Sequence, residues 1–197
     1  CFLKSNESLS APDIQINFTP GTHQRGMQST LENQAGFTMA TWQHRPESYG
    51  YVRARSQDPF KHPEIQPNYL AADTDQQVIL AAIKICRKLA QTEALKPFVV
   101  EETFPSVACQ NDNDLLNSAR EIGQSIYHLM GTCRMGSRDD KTAVVDAELR
   151  VHGIKNLRVI DASIMPTMVS ANLNAAEMMI AEKGADMVLG KLSAKPH

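Results

Sequence analysis

The chain has 197 residues, of which 42% are hydrophobic and 21% charged, a composition typical of a soluble globular protein. Its net charge of -2, with Lys and Arg scattered along the chain, forms no basic field and argues against nucleic acid as a partner. No apolar run reaches the ~20 residues that cross a bilayer, and the first residues do not resemble a signal peptide. We therefore predict a cytoplasmic protein without a transmembrane segment. The start at Cys1 rather than Met suggests that something upstream is absent.

The four cysteines lie far apart, and no two of them form a C-x-x-C pair. They are Cys1, Cys86, Cys109 and Cys133. This spacing indicates neither a zinc site nor a disulfide framework, so no metal site is predicted. We expect reduced and mostly buried thiols.

The chain opens with a polar lead-in and a strand. Residues 1–12 are polar and are predicted to be disordered or a severed connection. Residues 13–18 alternate in character, with Ile14, Ile16 and Phe18 on one face and polar residues on the other. Strict alternation of this kind predicts a half-buried β-strand.

Further strands are predicted after a polar loop. The loop covers residues 22–35 and contains Gly26. Strands are expected at 36–44 and 49–56, and pairing as a hairpin is the simplest arrangement. A short edge strand is expected over 65–70.

Two helices are predicted after the strands. Asp73, with Gln76 three residues later, has the pattern of a capping box that starts a helix of about five turns. Asp112 or Asn113 is expected to cap the second helix. The face that packs on the sheet is predicted to contain Ile79, Ala82, Ile83, Cys86, Leu89 and Ala90. Strands followed by helices predict an α+β fold, in which helices pack a mostly antiparallel sheet.

The last third of the chain has a different character. Glycines indicate an irregular loop over 127–136, and short strand pieces are expected within 144–151. The apolar run 157–160 is predicted to be a buried strand ending at Asp161, where a sheet edge can meet a ligand. Asn172 is predicted to cap a long, buried helix.

Several separated motifs occur in this last third in a fixed order. They are Tyr127-His128, Gly131-Thr-Cys-Arg-Met-Gly, Val144-Val145-Asp146, Arg150-Val-His-Gly, the run from Leu157 to Pro166, and Ser170-Ala-Asn-Leu-Asn-Ala. Together they resemble the C-terminal part of the glucose-methanol-choline (GMC) oxidoreductases, flavoenzymes that oxidise alcohols, and in particular the choline dehydrogenase-like branch. A weaker match over 46–105 resembles the family's substrate domain. The resemblance covers about residues 36–190.

The resemblance implies a division of the chain by role. Residues 13–126 would form the substrate-binding α+β domain. Residues 127–197 would supply the catalytic loop and an FAD-facing segment, whose strand and helix belong to the FAD-domain region. The family's G-x-G-x-x-G fingerprint is absent from this sequence. We therefore expect a C-terminal portion whose partner is the N-terminal FAD-binding region of the same protein, and expect the isolated 197 residues to bind FAD weakly or not at all, without turnover.

The resemblance also implies catalytic roles for two residues. An alcohol carbon gives up hydride only as its hydroxyl proton leaves, so the chemistry needs a base beside the flavin. His128 would accept that proton while hydride passes to flavin N5. Asn172 would hydrogen-bond the substrate oxygen without competing for the proton. The substrate implied is a small primary alcohol, and the sequence does not identify which one.

Cofactor contacts are implied at two places. The N–H groups at the start of a helix favour negative charge, which a reduced flavin carries at N1 and O2. Asn172 and the backbone of Leu173 and Asn174 would address that edge of FAD. Asp161 and Ala162 would contact the cofactor further along, although Asp161 could instead simply end a strand.

Other interpretations stay open. A single histidine more often packs or lies at the surface than acts in catalysis, and we assign that role to His23, His44, His62, His152 and His197. Cys133 and Arg134 are expected to brace their loop rather than react. This portion could instead be a non-catalytic binding or interaction module derived from the same fold. It could also belong to an alcohol oxidase, because oxygen reactivity does not depend on these motifs.

Overall fold

The computed structural model describes residues 1–23, 30–170 and 172–191. The predicted loop around Gly26 and the surface position predicted for His197 lie outside these described residues. The chain divides into two compact units. The first comprises Cys1–Gly50 and Gln66–Gln124, and the second comprises Tyr51–Ile65 and Ser125–His197. The assignment of a substrate-binding role to 13–126 and a cofactor-facing role to 127–197 stays a prediction.

Five strands and three α-helices make up the described chain. The strands are β1 (Phe2–Leu3), β2 (Ile14–Thr19), β3 (Thr38–Gln43), β4 (Tyr51–Arg53) and β5 (Glu64–Gln66). The helices are α1 (Asp73–Ala90), α2 (Asp112–Ile122) and α3 (Asn174–Val188). β1, β2 and β3 form an antiparallel sheet in that order, and β4 pairs with β5. The predicted α+β fold is confirmed. None of these described helices has the length and apolar character needed to span a membrane.

The first twelve residues are held by the sheet, so the prediction of a disordered lead-in is wrong. β1 pairs with the start of β2. The N-terminal amine of Cys1 donates to the carbonyl of Ile16 at 2.7 Å. The carboxylate of Asp13 accepts bonds from the backbone N–H and the hydroxyl of Ser5, at 2.7 and 2.5 Å. These contacts order a segment whose polar composition gave no indication of ordered structure.

β2 is the central strand of the first sheet, and both of its faces carry buried residues. Ile14 and Ile16 are buried, as the alternation predicts, whereas Phe18 is 52% exposed. On the opposite face Gln15 is also buried, and its Oε1 lies 2.8 Å from Nε2 of His44. A polar side chain is buried readily when a partner satisfies it, which an alternation pattern does not show. The packing role predicted for His44 agrees with its burial.

The predicted hairpin between the second and third main strands is wrong. β3 pairs along its whole length with β2, and β4 pairs with β5, which begins one residue before the predicted edge strand. The segment after β3 is held instead at the start of α1. There the carboxylate of Asp75, which is 2% exposed, accepts bonds from the backbone N–H groups of Glu47 and Ser48 and from the Ser48 hydroxyl.

α1 has 18 residues and so the predicted length of about five turns. The predicted capping box is wrong, because the N-cap residue is Ala72 and no side chain caps the helix. Gln76 donates instead to the carbonyl of Leu70 at 2.9 Å. The hydroxyl oxygen of Ser48 accepts bonds from two N–H groups that precede the helix. Tertiary contacts therefore hold the start of α1, at the place where the sequence indicated a local side-chain cap.

The core of the first unit lies between α1 and the sheet. Val78 and Ala82 of α1 pack with Ile14 and Ile16 of β2. Partly buried residues complete it: Leu3, Met39, Ala81, Ile85, Cys86 and Leu89. The buried face is rotated from the predicted one: Asp75, Val78 and Ala82 are its fully buried residues, and they recur at helical spacing.

The cap of α2 lies one residue before the first of the two predicted positions, Asp112. The N-cap residue is Asn111, whose side chain accepts a bond from the N–H of Asp114 at 2.9 Å. Leu115, Leu116 and Ser118 are buried. This is the side-chain cap that α1 lacks, and it agrees with the preference of helix N-termini for Asn.

Cys86 gives a testable consequence of the first core. All four cysteines are unpaired, but Cys1 is exposed and the other three are only half-buried. Burial raises the pKa of the Cys86 thiol to about 11. Because the thiolate is the reactive form, we expect Cys86 to alkylate about 100-fold more slowly than an unshifted thiol at mildly alkaline pH. Mass spectrometry of iodoacetamide-labelled peptides measures this, with Cys1 as the internal control.

The same pKa shift sets the direction of a pH effect. The folded state favours the neutral thiol, so this contribution to stability is present below the ordinary pKa of 9.0. It is lost as the pH rises from that value towards about 11.

For the alkylation experiment, equal rates for Cys86 and Cys1 would contradict the assignment of Cys86 to the core.

Candidate active site

The second unit is built on a core to which five of the six sequence motifs contribute residues. Its buried residues are Val145, Leu149, Ala162, Ile164, Met165, Leu173 and Ile180. Met130 and Met135 of the loop after His128 pack against it. The core therefore joins this loop, the segment after Asp161 and the start of α3.

The loop that follows His128 runs beside the segment that follows Asp161. Three of its backbone N–H groups donate across the gap: Gly131 to Ala162 at 3.4 Å, Cys133 to Ser163 at 2.9 Å and Met135 to Ile164 at 2.7 Å. Gly131 has a φ of +84°, a conformation that glycine adopts without steric cost. These bonds fix the Gly131–Gly136 motif against the rest of the unit.

His128 is half-buried at the entry to this loop. The residues on either side of it are exposed, Tyr127 by 84% and Leu129 by 63%. Tyr127 has a φ of +62°, which is an outlier for a bulky residue. Strained backbone of this kind is concentrated at functional sites, where the surrounding structure holds it in place. The catalytic role of His128 stays a prediction.

Asp161 lies at the surface and caps a single helical turn. Its carboxylate accepts a bond from the N–H of Ser163 at 2.8 Å, and the turn covers Ala162–Ile164. The buried strand predicted before Asp161 is wrong. Leu157 is 46% exposed, and the run is joined to the preceding strand piece by one isolated bridge rather than by a ladder. Pairing on one side leaves these residues only half-covered.

The start of α3 differs from the prediction. The helix begins at Asn174 and its N-cap residue is Leu173, so the cap predicted at Asn172 is wrong. Leu173 already has helical backbone angles, and its side chain, 3% exposed, is anchored in the core. Asn172 and Asn174 are exposed on either side of it. No side chain among the described residues caps this helix.

Much of the surface of α3 is apolar and exposed, in contrast to the buried helix predicted. Met178, Met179 and Val188 are each more than half exposed. Ile180 and Gly184 are the buried residues of the helix. A Cβ on Gly184 would lie 2.4 Å from Cγ2 of Ile160, so the helix backbone approaches the Ile160 side chain closely at this position.

Arg134 braces the loop, in agreement with its predicted role. Its guanidinium donates to Oγ1 of Thr142 at 2.8 Å and pairs with the carboxylate of Asp140 at 3.1 Å. Hydrogen bonds from Thr142, with a smaller contribution from the Arg134 charge, lower the pKa of Asp140. Arg134 therefore joins the loop to the segment around Asp140 and Thr142 that follows it.

The hairpin after this segment is closed by short-range bonds. Asp146 accepts bonds from the backbone N–H of Glu148 and from both the backbone and the guanidinium of Arg150. Burial alone would raise the pKa of Asp146, but the bonds from Arg150 hold it below its ordinary value. A cavity of about 880 Å³ lies here, lined by residues within 135–158. None of its described lining residues is a predicted site residue.

His152 has a contact that the sequence did not indicate. Its Nε2 lies 3.1 Å from the carbonyl oxygen of Gly136, the last residue of the loop motif. We predicted a surface or packing role for His152, and no spacing rule in the sequence links it to Gly136. The contact is visible only once the hairpin has folded back on the loop.

The structure thus brings some predicted site residues together. Ala162 and Leu173 lie in one core with Met130, two residues after His128. The convergence of the His128 imidazole and the Asn172 carboxamide on one point stays a prediction. The cofactor contacts of Asp161 and Asn174 also stay predictions.

Comparison with known proteins identifies the family. The model of the GMC oxidoreductase family matches residues 46–181. The mitochondrial choline dehydrogenase of Homo sapiens is 42% identical over 191 residues, which are 96% of this chain and 32% of the human protein. The oxygen-dependent choline dehydrogenase of Escherichia coli O45:K1 (strain S88) is also 42% identical, over 96% of this chain and 33% of the relative. The chain belongs to the GMC oxidoreductase family, in its choline dehydrogenase-like branch.

Solved structures agree with this assignment. The pyridoxine 4-oxidase of Mesorbium loti superposes with a TM-score of 0.81 at 25% identity, over 97% of this chain and 37% of that one. A variant of the formate oxidase of Aspergillus oryzae RIB40 superposes with a TM-score of 0.75 at 28% identity. The match covers 92% of this chain and 32% of the formate oxidase. The chain spans about a third of the length of the relatives it matches.

Proposed function

We propose that this chain is the C-terminal portion of an FAD-dependent alcohol oxidoreductase of the choline dehydrogenase type. The observation that carries the proposal is the set of bonds between the Gly131–Gly136 loop and the Ala162–Ile164 turn. They join two family motifs that are far apart in sequence, and the core beneath them also holds the start of α3 through Leu173. An interaction module would not need these three segments in one place.

The start of α3 fits a flavin. Leu173 is buried and fixes the position of the helix end, whereas Asn172 and Asn174 are exposed on either side. No described side chain occupies the N–H groups of the first turn. Together with the positive end of the helix dipole, such groups favour a negatively charged partner. Asp161 and Ala162 are proposed to contact the same cofactor further along.

The chain's own residues would manage the proton and the developing charge. FAD, when bound, supplies the acceptor for hydride. The His128 imidazole accepts the hydroxyl proton, for which it must be neutral at the working pH. The Asn172 carboxamide donates a hydrogen bond to the substrate oxygen as negative charge develops there. The free N–H groups at the start of α3 would hold the flavin and favour negative charge on it.

The proposed partner is an N-terminal FAD-binding region of the same protein. We propose that it covers exposed apolar residues of α3, among them the adjacent Met178 and Met179, which are each more than half exposed. In keeping with this, the isolated chain is expected to bind FAD weakly or not at all. A cytoplasmic location stays a prediction, and the human relative is named as a mitochondrial enzyme.

The proposed substrate is a small primary alcohol. Both curated relatives are choline dehydrogenases, which makes choline the first alcohol to test. The test is anaerobic reduction of the flavin in the protein with its FAD-binding region. We expect at least one primary alcohol of a panel to bleach the visible flavin absorbance. A tertiary alcohol is the control, because its carbinol carbon has no hydrogen to transfer.

Two outcomes would contradict the proposal. Protein that holds no FAD, or holds FAD that no alcohol reduces, would favour the non-catalytic binding module. The choice between dehydrogenase and oxidase is separate, since the structural relatives include a pyridoxine 4-oxidase and a formate oxidase. Oxygen consumption with the reducing alcohol, measured with and without an artificial electron acceptor, distinguishes these two.

A further inference from the structure

His152 lies where the hairpin meets the end of the catalytic loop. Its backbone N–H donates to the carbonyl of Val144 at 2.9 Å, and the N–H of Val144 donates to the carbonyl of Arg134 at 2.9 Å. The backbone of His152 is therefore linked to the loop through one intermediate residue, Val144. Its half-buried side chain adds a direct bond to that loop, from Nε2 to the carbonyl oxygen of Gly136 at 3.1 Å.

This contact fixes the proton position on the ring. A carbonyl oxygen can only accept, so Nε2 of His152 must carry a hydrogen and donate it. The bond is therefore made by the neutral Nε2–H tautomer and by the charged imidazolium alike. Gly136 is bonded from both sides, because its own N–H donates to the carbonyl of Val145 at 3.0 Å.

Gly136 cannot be braced by a side chain of its own. A Cβ at this position would lie 2.9 Å from Cβ of Ala143, closer than real Cβ atoms come, and 3.2 Å from Oδ2 of Asp140, which is a tight contact. The loop therefore passes this point as bare backbone. The donor to its carbonyl comes from another segment, through His152.

We propose that His152 is a positioning residue for the reaction, which holds the end of the loop that begins at His128. Bonds to the Ala162–Ile164 turn fix the middle of the loop, and the bond from His152 fixes its last carbonyl. Loss of this bond would let the loop shift, and small displacements of a reacting group lower a rate strongly. The proposal rests on the proposed function, because it assumes that His128 is the base.

The test compares two substitutions of similar size in the FAD-containing protein. In His152→Gln the side-chain amide places an N–H close to the position of Nε2, whereas His152→Met fills the space without a donor. We expect His152→Met to lower the rate constant of flavin reduction about tenfold with little change in alcohol affinity. His152→Gln should stay within about twofold of the native rate, because its amide can make the same bond.

Controls separate positioning from simple stability. His62 is exposed on the segment before β5, and His62→Met should change neither rate nor affinity. Melting temperatures of all variants are measured alongside. Hydrogen exchange at the backbone amides of 131–136 should accelerate in His152→Met and not in His152→Gln. This readout does not depend on turnover.

The outcomes are distinct. Equal rates and equal exchange for the Gln and Met variants would overturn the proposal, as would a loss confined to alcohol affinity. A native protein whose flavin no alcohol reduces would refute the proposed function instead, while the exchange experiment would still decide whether His152 holds the loop. If His152→Met fails to fold, His152→Asn replaces it, because its shorter side chain carries the same amide but does not reach Gly136.

Discussion

Replacement of His128 by Ala is expected to lower the rate constant for flavin reduction by at least ~100-fold in the FAD-containing protein. The reason is that hydride leaves the alcohol carbon only as the hydroxyl proton is removed, and alanine offers no base. Water in its place has a far lower basicity and no fixed position. Stopped-flow reduction under anaerobic conditions measures this constant independently of the electron acceptor.

Two controls make the result specific to the base. His62→Ala removes an exposed imidazole and should leave the reduction rate unchanged. Added imidazole should restore part of the rate of His128→Ala, because a free base can enter the space left by the side chain. Native rates in His128→Ala would remove the catalytic assignment, and so would a change in affinity with no change in rate.

Replacement of Asp75 by Ala is expected to lower the free energy of unfolding by about 3 kcal/mol, because it removes a buried carboxylate that accepts three hydrogen bonds. The carboxylate is 2% exposed and accepts bonds from the N–H groups of Glu47 and Ser48 at 2.9 and 2.8 Å. Without it, these groups lose the partner that joins the 47–48 segment to α1. Urea unfolding followed by circular dichroism measures the difference.

Asp73→Ala is the matched control for this substitution. Asp73 is an exposed acid in the same first turn of α1, so its loss removes a similar interaction with the helix dipole but no buried hydrogen bond. We expect a change of about 0.5 kcal/mol or less in that variant. Equal effects of the two substitutions would show that the tether of the 47–48 segment contributes nothing to stability.

The sequence predicted the fold class and the lengths of the main elements better than their contacts. The apolar periodicity of α1 and the alternation of β2 depend on local chemistry, which the sequence contains. The pairing of β3 with β2, rather than with β4, is a non-local contact that the strand patterns do not contain. The bonds of the buried Asp75 carboxylate to the 47–48 segment likewise leave no periodic signal in the sequence.

The candidate site residues are predictions from motifs, which do not indicate the contacts that surround them. His128, Asp161 and Asn172 stand in motifs that identify the family. The bond from His152 to Gly136 joins residues 16 positions apart through a fold that must already exist. The exposure of α3 had a different cause. The apolar sequence of α3 predicted a buried helix. We propose that the missing cover is in the rest of the protein, because this chain corresponds to about a third of the length of its relatives.

The hairpin over residues 144–158 has a consequence for the order in which the second unit assembles. The bonds of Asp146 to Arg150 span four positions, and the bond of Arg158 to the carbonyl of Glu148 spans ten. Closing such short loops is fast and costs little chain entropy. We expect this hairpin to be an early folding nucleus, which supplies a ready surface on which the glycine-rich motif settles before the last helix is in place.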